Sequence, residues 1–170
     1  MRALLSLVLL LAACYRAAGP PFDANAFLAT TANLAISDVD VGTLAARRAQ
    51  LPETRQLGAA VAGEQRALLA AMAPLAQRRR VAMPAVLEER RVALRQNLSM
   101  LAPDMFDRAF ALAMVQDYDA LLGILGDAAH SGDDDLRAFA KGARPTVAAR
   151  RRAAAALLSR LGGSPFNVGM

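Results

Sequence analysis

The residues able to do chemistry in this sequence are few. It holds one cysteine, Cys14, and one histidine, His130, so neither an internal disulfide, a zinc finger nor a triple-histidine site can be assembled. A hydroxyl–histidine catalytic pair would have to be built on His130, and no nucleophile stands with a plausible base. A dinuclear iron centre in a helix bundle needs carboxylates from every helix and two Glu-x-x-His motifs. No such motif occurs; the nearest is Asp127-Ala-Ala-His130, at the end of a predicted helix, where histidine suits the negative end of the dipole. What remains is a set of polar residues on otherwise apolar helical stripes. With a repeat of about 3.5 residues, Asp38 falls in line with Phe27, Thr31, Leu34 and Val41, and Glu64 with Leu57, Val61 and Leu68. Tyr118 shares a face with Met114, Leu121 and Leu125, and Arg150 with Phe139, Ala143 and Ala154. Asp38, Glu64, Tyr118 and Arg150 are therefore expected to point inward as an interior polar cluster. In it two carboxylates share one bidentate arginine, and the tyrosine hydroxyl is an added donor. A buried charge without a partner costs several kcal/mol.

The elements that position these residues are all helices. The chain is 170 residues long, 55% hydrophobic and 21% charged, which is room for one domain with a real core and excludes disorder from low hydrophobicity. Alanine dominates, valines are scattered without alternation, and no strand pattern occurs. The first helix is predicted over 24–48, with Asp23 as N-cap and Phe22 and Phe27 at the spacing of a hydrophobic staple. The second opens at Pro52 and runs to Gln77. A short helix follows from Pro84 to Leu98, and a long one from Pro103 to Ala129. The last begins in Asp133-Asp134-Asp135 and extends to Leu161, with a kink near Gly142 and Pro145. Four long helices in two pairs, joined by the stretch 78–102 with its own short helix, predict an all-α, ferritin-like four-helix bundle. The long helix-containing crossover then lies between helices two and three. An elongated pair of hairpins that dimerises is the alternative architecture.

The N-terminus reads as an address. Met1-Arg2 is a short positive start, and 3–13 is apolar apart from Ser6, too short for the roughly 20 residues that cross a bilayer and right for a secretory signal. Leu11-Ala12-Ala13-Cys14 resembles a bacterial lipobox, which implies cleavage between Ala13 and Cys14 and lipidation of the Cys14 sulfur. Acylation at about 0.8 kcal/mol per buried methylene would anchor the domain to a membrane. Tyr15, where an aspartate would favour inner-membrane retention, points to the outer membrane, facing the periplasm. The organisation is thus a signal peptide over 1–13, a lipidated tether over 14–22, a helical domain over 23–161 and a tail over 162–170.

Particular residues carry a further resemblance: Phe27-Leu28, Asp38-Val39-Asp40 and Leu44-Ala45 in helix one, and Val61 with Glu64-Gln65 in helix two. Helix three contributes Phe106-Asp107-Arg108-Ala109-Phe110 and Met114-Val115-Gln116-Asp117-Tyr118, and helix four Phe139-Ala140-Lys141 and Arg144-Pro145-Thr146-Val147. Together they resemble the domain of unknown function 4142 family of exported, ferritin-like bacterial proteins, over 27–158. The resemblance implies a glutamate in helix one, an aspartate–histidine pair in helix two and histidines in helices three and four. The matching positions here are Asp38, Glu64-Gln65, Tyr118 and Arg150: each expected histidine is replaced, one of them by a permanent cation that cannot ligate a metal.

The function expected from this reading is a non-enzymatic, lipid-anchored cell-envelope protein with no cofactor and no metal, in a structural, stress-related or protein-binding role. Its partners would be the membrane through Cys14 and an envelope protein or anionic polymer. The alternative is a ferritin-like metal-binding or redox protein with a degenerate carboxylate site at Asp38, Glu64 and Asp117, suited to hard ions. The net charge of +5 and the runs Arg78-Arg79-Arg80, Arg90-Arg91 and Arg150-Arg151-Arg152 are read as solvated faces. No nucleic acid is expected, because aromatic interleaving for base stacking is missing. The scattered methionines are read as core or loop filler.

Overall fold

The computed structural model describes residues 22–162. The predicted signal peptide, the tether up to Pro21 and the tail beyond Gly162 lie outside the described residues. Five helices follow one another: α1 (Ala24–Arg48), α2 (Pro52–Arg79), α3 (Glu89–Met100), α4 (Pro103–Ala129) and α5 (Asp134–Arg160). No strand occurs among the described residues, so the all-helical reading of composition and periodicity holds.

Local chemistry sets the helix ends. The Asp23 carboxylate accepts the amides of Asn25 (2.8 Å) and Ala26 (3.1 Å), and the Phe22 and Phe27 rings pack against each other, tilted by 47° with centroids 5.7 Å apart. Asp133 caps α5 through the Leu136 amide at 3.0 Å and so lies just outside the helix it was expected to begin. α2 runs two residues past its predicted end and stops where Arg80 turns left-handed at φ 55°. The short helix starts at Glu89, not at Pro84. The stretch before it stays non-helical, with a bend at 85–86, because Asn33 of α1 captures the Glu88 amide at 3.2 Å, and because Val86 faces solvent and gives a helix there nothing to bury. α5 continues unbroken through Gly142 and Pro145. Both are exposed, so the carbonyl that proline leaves unpaired can turn to water.

Packing pairs α1 with α2 and α4 with α5, and the two hairpins meet along α1–α4 and α2–α5. α1 and α2 cross so closely at Gly42 and Gly58 that a Cβ on Gly58 would lie 2.7 Å from the Gly42 carbonyl oxygen. Two tertiary contacts fix the direction of the second hairpin. Asp107, near the start of α4, accepts the amides of Gln50 (3.1 Å) and Leu51 (2.8 Å) in the α1–α2 turn. At the opposite end Arg79 of α2 bonds Asp133 at 2.6 Å, beside the start of α5. α4 therefore runs antiparallel to α1, and α5 antiparallel to α2. The connection between the hairpins returns along the whole length of the molecule, with α3 lying against α1 and α4.

The core centres on α4, where Phe106, Phe110, Met114, Tyr118, Leu121 and Leu125 are all buried. α4 is long and apolar enough to cross a membrane by length and composition alone, yet half of its most apolar window is buried against its neighbours. Its hydropathy is that of a central core helix.

Candidate functional site

Polar side chains from α1, α2, α3 and α4 converge in the middle of this core. Asp38 on α1 is fully buried, and its Oδ2 accepts the Gln65 amide of α2 at 3.2 Å. Asp117 on α4 is also buried and is ion-paired with Arg91, which reaches in from α3 with its side chain only 9% exposed. Burial, and after it the neighbouring Asp117 charge and hydrogen bond, pushes the Asp38 carboxyl well above the ordinary carboxylate range, against the pull of Arg91. The protonated form of Asp38 is therefore the favoured one. The Asp38 Oδ1 and Asp117 Oδ2 oxygens find no other donor among the described residues. One proton held on Asp38 and donated to Asp117 accounts for both.

A second pair lies beside the first. Arg150 of α5 grips Glu64 of α2 with both edges of its fork: Nε donates to Oε2 at 2.9 Å, and Nη2 donates to Oε1. This pair is half-buried, with side chains 24% and 31% exposed, and the Glu64 hydrogen bond raises the Arg150 guanidinium further above its ordinary value. Between the two pairs stands Tyr118, buried to 1% exposure, its hydroxyl beside the Gln65 side chain but without a hydrogen bond of good geometry. Burial first, and then Asp38, raises the phenol above its ordinary range, against the pull of Gln65.

These donors do not suit a metal ion. Asp117 is taken by Arg91, Glu64 by Arg150, and Asp38 holds a proton. A cation would have to displace two guanidiniums that repel it. Among the described residues, no group of three or more His, Cys, Asp or Glu is placed to hold a metal.

The family description "Domain of unknown function (DUF4142)" matches residues 12–157. The chain belongs to that family. Among solved structures it is similar to the crystal structure of a DUF305 fragment from Deinococcus radiodurans, with 16% identity, a TM-score of 0.72, and coverage of 83% of this chain and 99% of that one. At that identity the likeness is one of fold alone. No curated protein matches the chain.

In this DUF4142 chain the four residues expected to point inward lie on α1, α2, α4 and α5 around the same central stretch, with Tyr118 near Asp38, Glu64 and Arg150, but one arginine does not serve both carboxylates. Arg150 binds Glu64 only; Asp38 answers instead to Gln65, Asp117 and Arg91. Arg91 corrects the reading of Arg90-Arg91 as a solvated run: Arg90 is exposed and pairs with Glu88 at 2.8 Å, while Arg91 is buried. The signal was present in the sequence, since Arg91 shares one face of α3 with Leu94 and Leu98. Asp107, the tertiary cap of the α1–α2 turn, sits in the Phe106–Phe110 motif that carries the family resemblance. α2 has no side-chain cap of its own, so that motif supplies one from another helix. His130 closes the end of α4, with Nδ1 2.8 Å from the Gly126 carbonyl oxygen. Met72 and Met114 are core; Met100 and Met105 are exposed.

Two tests follow from this geometry. Arg91→Ala leaves the buried Asp117 carboxyl without its ion-pair partner and is expected to cost about 3–5 kcal/mol, whereas Arg90→Ala stays within about 0.5 kcal/mol; urea denaturation of both reads the contrast. Asp38→Asn keeps an acceptor for Gln65 and supplies Asp117 with a permanent donor. Because the folded wild type holds a proton that the unfolded chain releases near pH 4, wild-type stability falls as pH rises above that point, by at most about 1.4 kcal/mol per pH unit. Asp38→Asn is expected to match the wild type at acid pH and to gain on it steadily towards neutrality. A difference that does not change with pH would contradict a protonated Asp38.

Proposed function

We propose that this chain is a non-enzymatic helical-bundle protein, held at the cell envelope by a lipid on Cys14, that serves a structural, stress-related or protein-binding role. The observation that carries the non-catalytic part is the closed polar centre: two carboxylates matched by two arginines, with the third acid protonated. Such a centre offers neither an open coordination position nor a base poised against a nucleophile. His130 lies outside it, at the α4–α5 turn, engaged with its own helix.

The architecture is a ferritin-like four-helix bundle in this reading. Its support is the order of contacts, α1 beside α2 and α4, α5 beside α2 and α4, together with a full-length return between the hairpins. The metal-binding alternative, with Asp38, Glu64 and Asp117 as ligands, would need Arg91 and Arg150 to leave. Location rests on the Leu11-Ala12-Ala13-Cys14 run and on Tyr15, outside the described residues; these favour an outer-membrane anchor with the bundle facing the periplasm. Exposed arginines such as Arg47, Arg80, Arg152 and Arg160 suit an anionic envelope polymer or protein as partner.

Two measurements test the two halves. Cys14→Ala is expected to move the protein from the membrane to the soluble fraction; unchanged fractionation defeats the anchor. Elemental analysis of protein purified without chelators is expected to find no stoichiometric metal. Stoichiometric metal that disappears in an Asp38→Ala, Glu64→Ala double variant would overturn the closed-centre reading.

A further inference from the structure

A cavity of about 400 Å³ opens between α2 and α5, beside the polar centre and bordered by the Glu64–Arg150 pair. It exists because the facing positions carry small side chains. Ala67 and Ala71 on α2 meet Ala138, Gly142 and Ala143 on α5, and a Cβ on Gly142 would find nothing within 4 Å. Leu68, Phe139 and Val147 complete apolar walls. The contrast with the α1–α2 crossing is instructive: there glycines bring two backbones into contact, whereas here small residues leave the space unfilled.

The inner end is different in kind. Gln65 and Tyr118 line it, both at least 98% buried, and although the two side chains lie beside each other, each keeps a polar atom without a well-formed hydrogen bond: the Tyr118 hydroxyl and the Gln65 Oε1. Buried polar atoms are nearly always satisfied, so an unpaired hydroxyl beside an unpaired amide oxygen at the end of an apolar cavity marks a place for one donor–acceptor group. Glu64, the charged residue of the lining, is already neutralised by Arg150, which leaves no free charge there to pair with an ionic head. The volume lies within the range of small-molecule sites, and the mix of apolar walls with a few convergent polar groups is what such sites present.

We propose that this cavity binds a neutral single-chain amphiphile, its hydrocarbon body between α2 and α5 and a hydroxyl or amide head against Tyr118 and Gln65. The head donates to Gln65 Oε1 and accepts from the Tyr118 hydroxyl. The proposal does not depend on the anchor at Cys14.

The test uses the full chain carrying Cys14→Ala, so that no anchoring lipid contributes. The probe is N-phenyl-1-naphthylamine, whose fluorescence rises in an apolar site, with 1-decanol and decanoate as competitors at a pH where decanoate is ionised. Saturable probe binding is expected, with 1-decanol displacing it at least tenfold more effectively than decanoate. Ala143→Leu fills the cavity and is expected to abolish probe binding while the helical content and melting transition persist. Tyr118→Phe keeps the cavity but removes the hydroxyl, and should weaken 1-decanol about three- to tenfold with little change in probe binding. No saturable binding, equal displacement by alcohol and carboxylate, or undiminished binding in Ala143→Leu overturns the proposal. Unaltered 1-decanol affinity in Tyr118→Phe overturns the assigned head contact.

Discussion

Asp38 and Asp117 occupy one dry space, and two carboxylate charges cannot both persist there. The structure resolves the conflict asymmetrically. Arg91 pairs with Asp117, and Asp38, left without a cation of its own, is pushed well above the ordinary carboxylate range, towards its protonated form. The arrangement needs three helices at once: α1 supplies the acid pushed towards neutrality, α4 the acid that is ion-paired, and α3 the cation. Apart from Arg91, α3 buries Leu98 and packs Leu94 against the core, a small apolar anchor for a helix of twelve residues. The position of the connection between the hairpins is thus set chiefly by a charge drawn into the core.

That dependence explains how so long a return path stays ordered. It leaves α2 near Arg79 and must deliver α4 back to the α1–α2 turn. Polar contacts mark the route: the Glu88 amide on Asn33, Arg91 on Asp117, Arg95 on Asp40 at 2.7 Å, and the Leu101 carbonyl on Arg48 at 2.5 Å. Arg95 and Asp40 are well exposed, so their pair adds little energy. Its value is direction, since it lies on the same line as the buried pair. Asp107 then takes the amides of the α1–α2 turn, and the Phe106 ring beside it lies beneath the Arg48 guanidinium, 5.7 Å from its centroid. The motif that reads most specifically in the sequence is therefore the place where the returning chain locks onto the first hairpin.

Much of the helical framework was legible because its signals are local. Asp23, Pro52 and Pro103 announce helix starts from neighbouring residues alone, and the long apolar stripes place the core. The start of α3 was not legible, since Asn33 captures the Glu88 amide from 55 residues away. The polar centre was legible by face but not by partner. Spacing places Asp38, Glu64, Tyr118 and Arg150 towards the interior, yet which acid meets which arginine depends on the rotation of each helix about its axis. A rotation of one residue exchanges Glu64 for Gln65, and the structure sends Gln65 to Asp38 and Glu64 to Arg150. Arg91 was hidden by its neighbour, because an arginine pair reads as solvated surface until one asks which of the two falls on the leucine stripe.

The two ion pairs also account for what became of the positions where the family resemblance expects histidines. A bundle centre ready for a metal carries surplus negative charge, and the repulsion among its carboxylates is relieved by the cation that arrives. Here the relief comes from within the chain. Arg91 and Arg150 bring two positive charges to Asp117 and Glu64, and Asp38 adds none once protonated. The centre is neutral before any ion approaches, so no electrostatic demand for one is left. An arginine at the α5 position is thus more than a lost ligand: with Glu64 opposite, it makes a neutral and geometrically fixed pair. The Tyr118 hydroxyl and the Gln65 Oε1 remain without a well-formed hydrogen bond, and they face a neighbourhood of matched charges in which a hydrogen bond, rather than a metal–oxygen bond, is the interaction left to form.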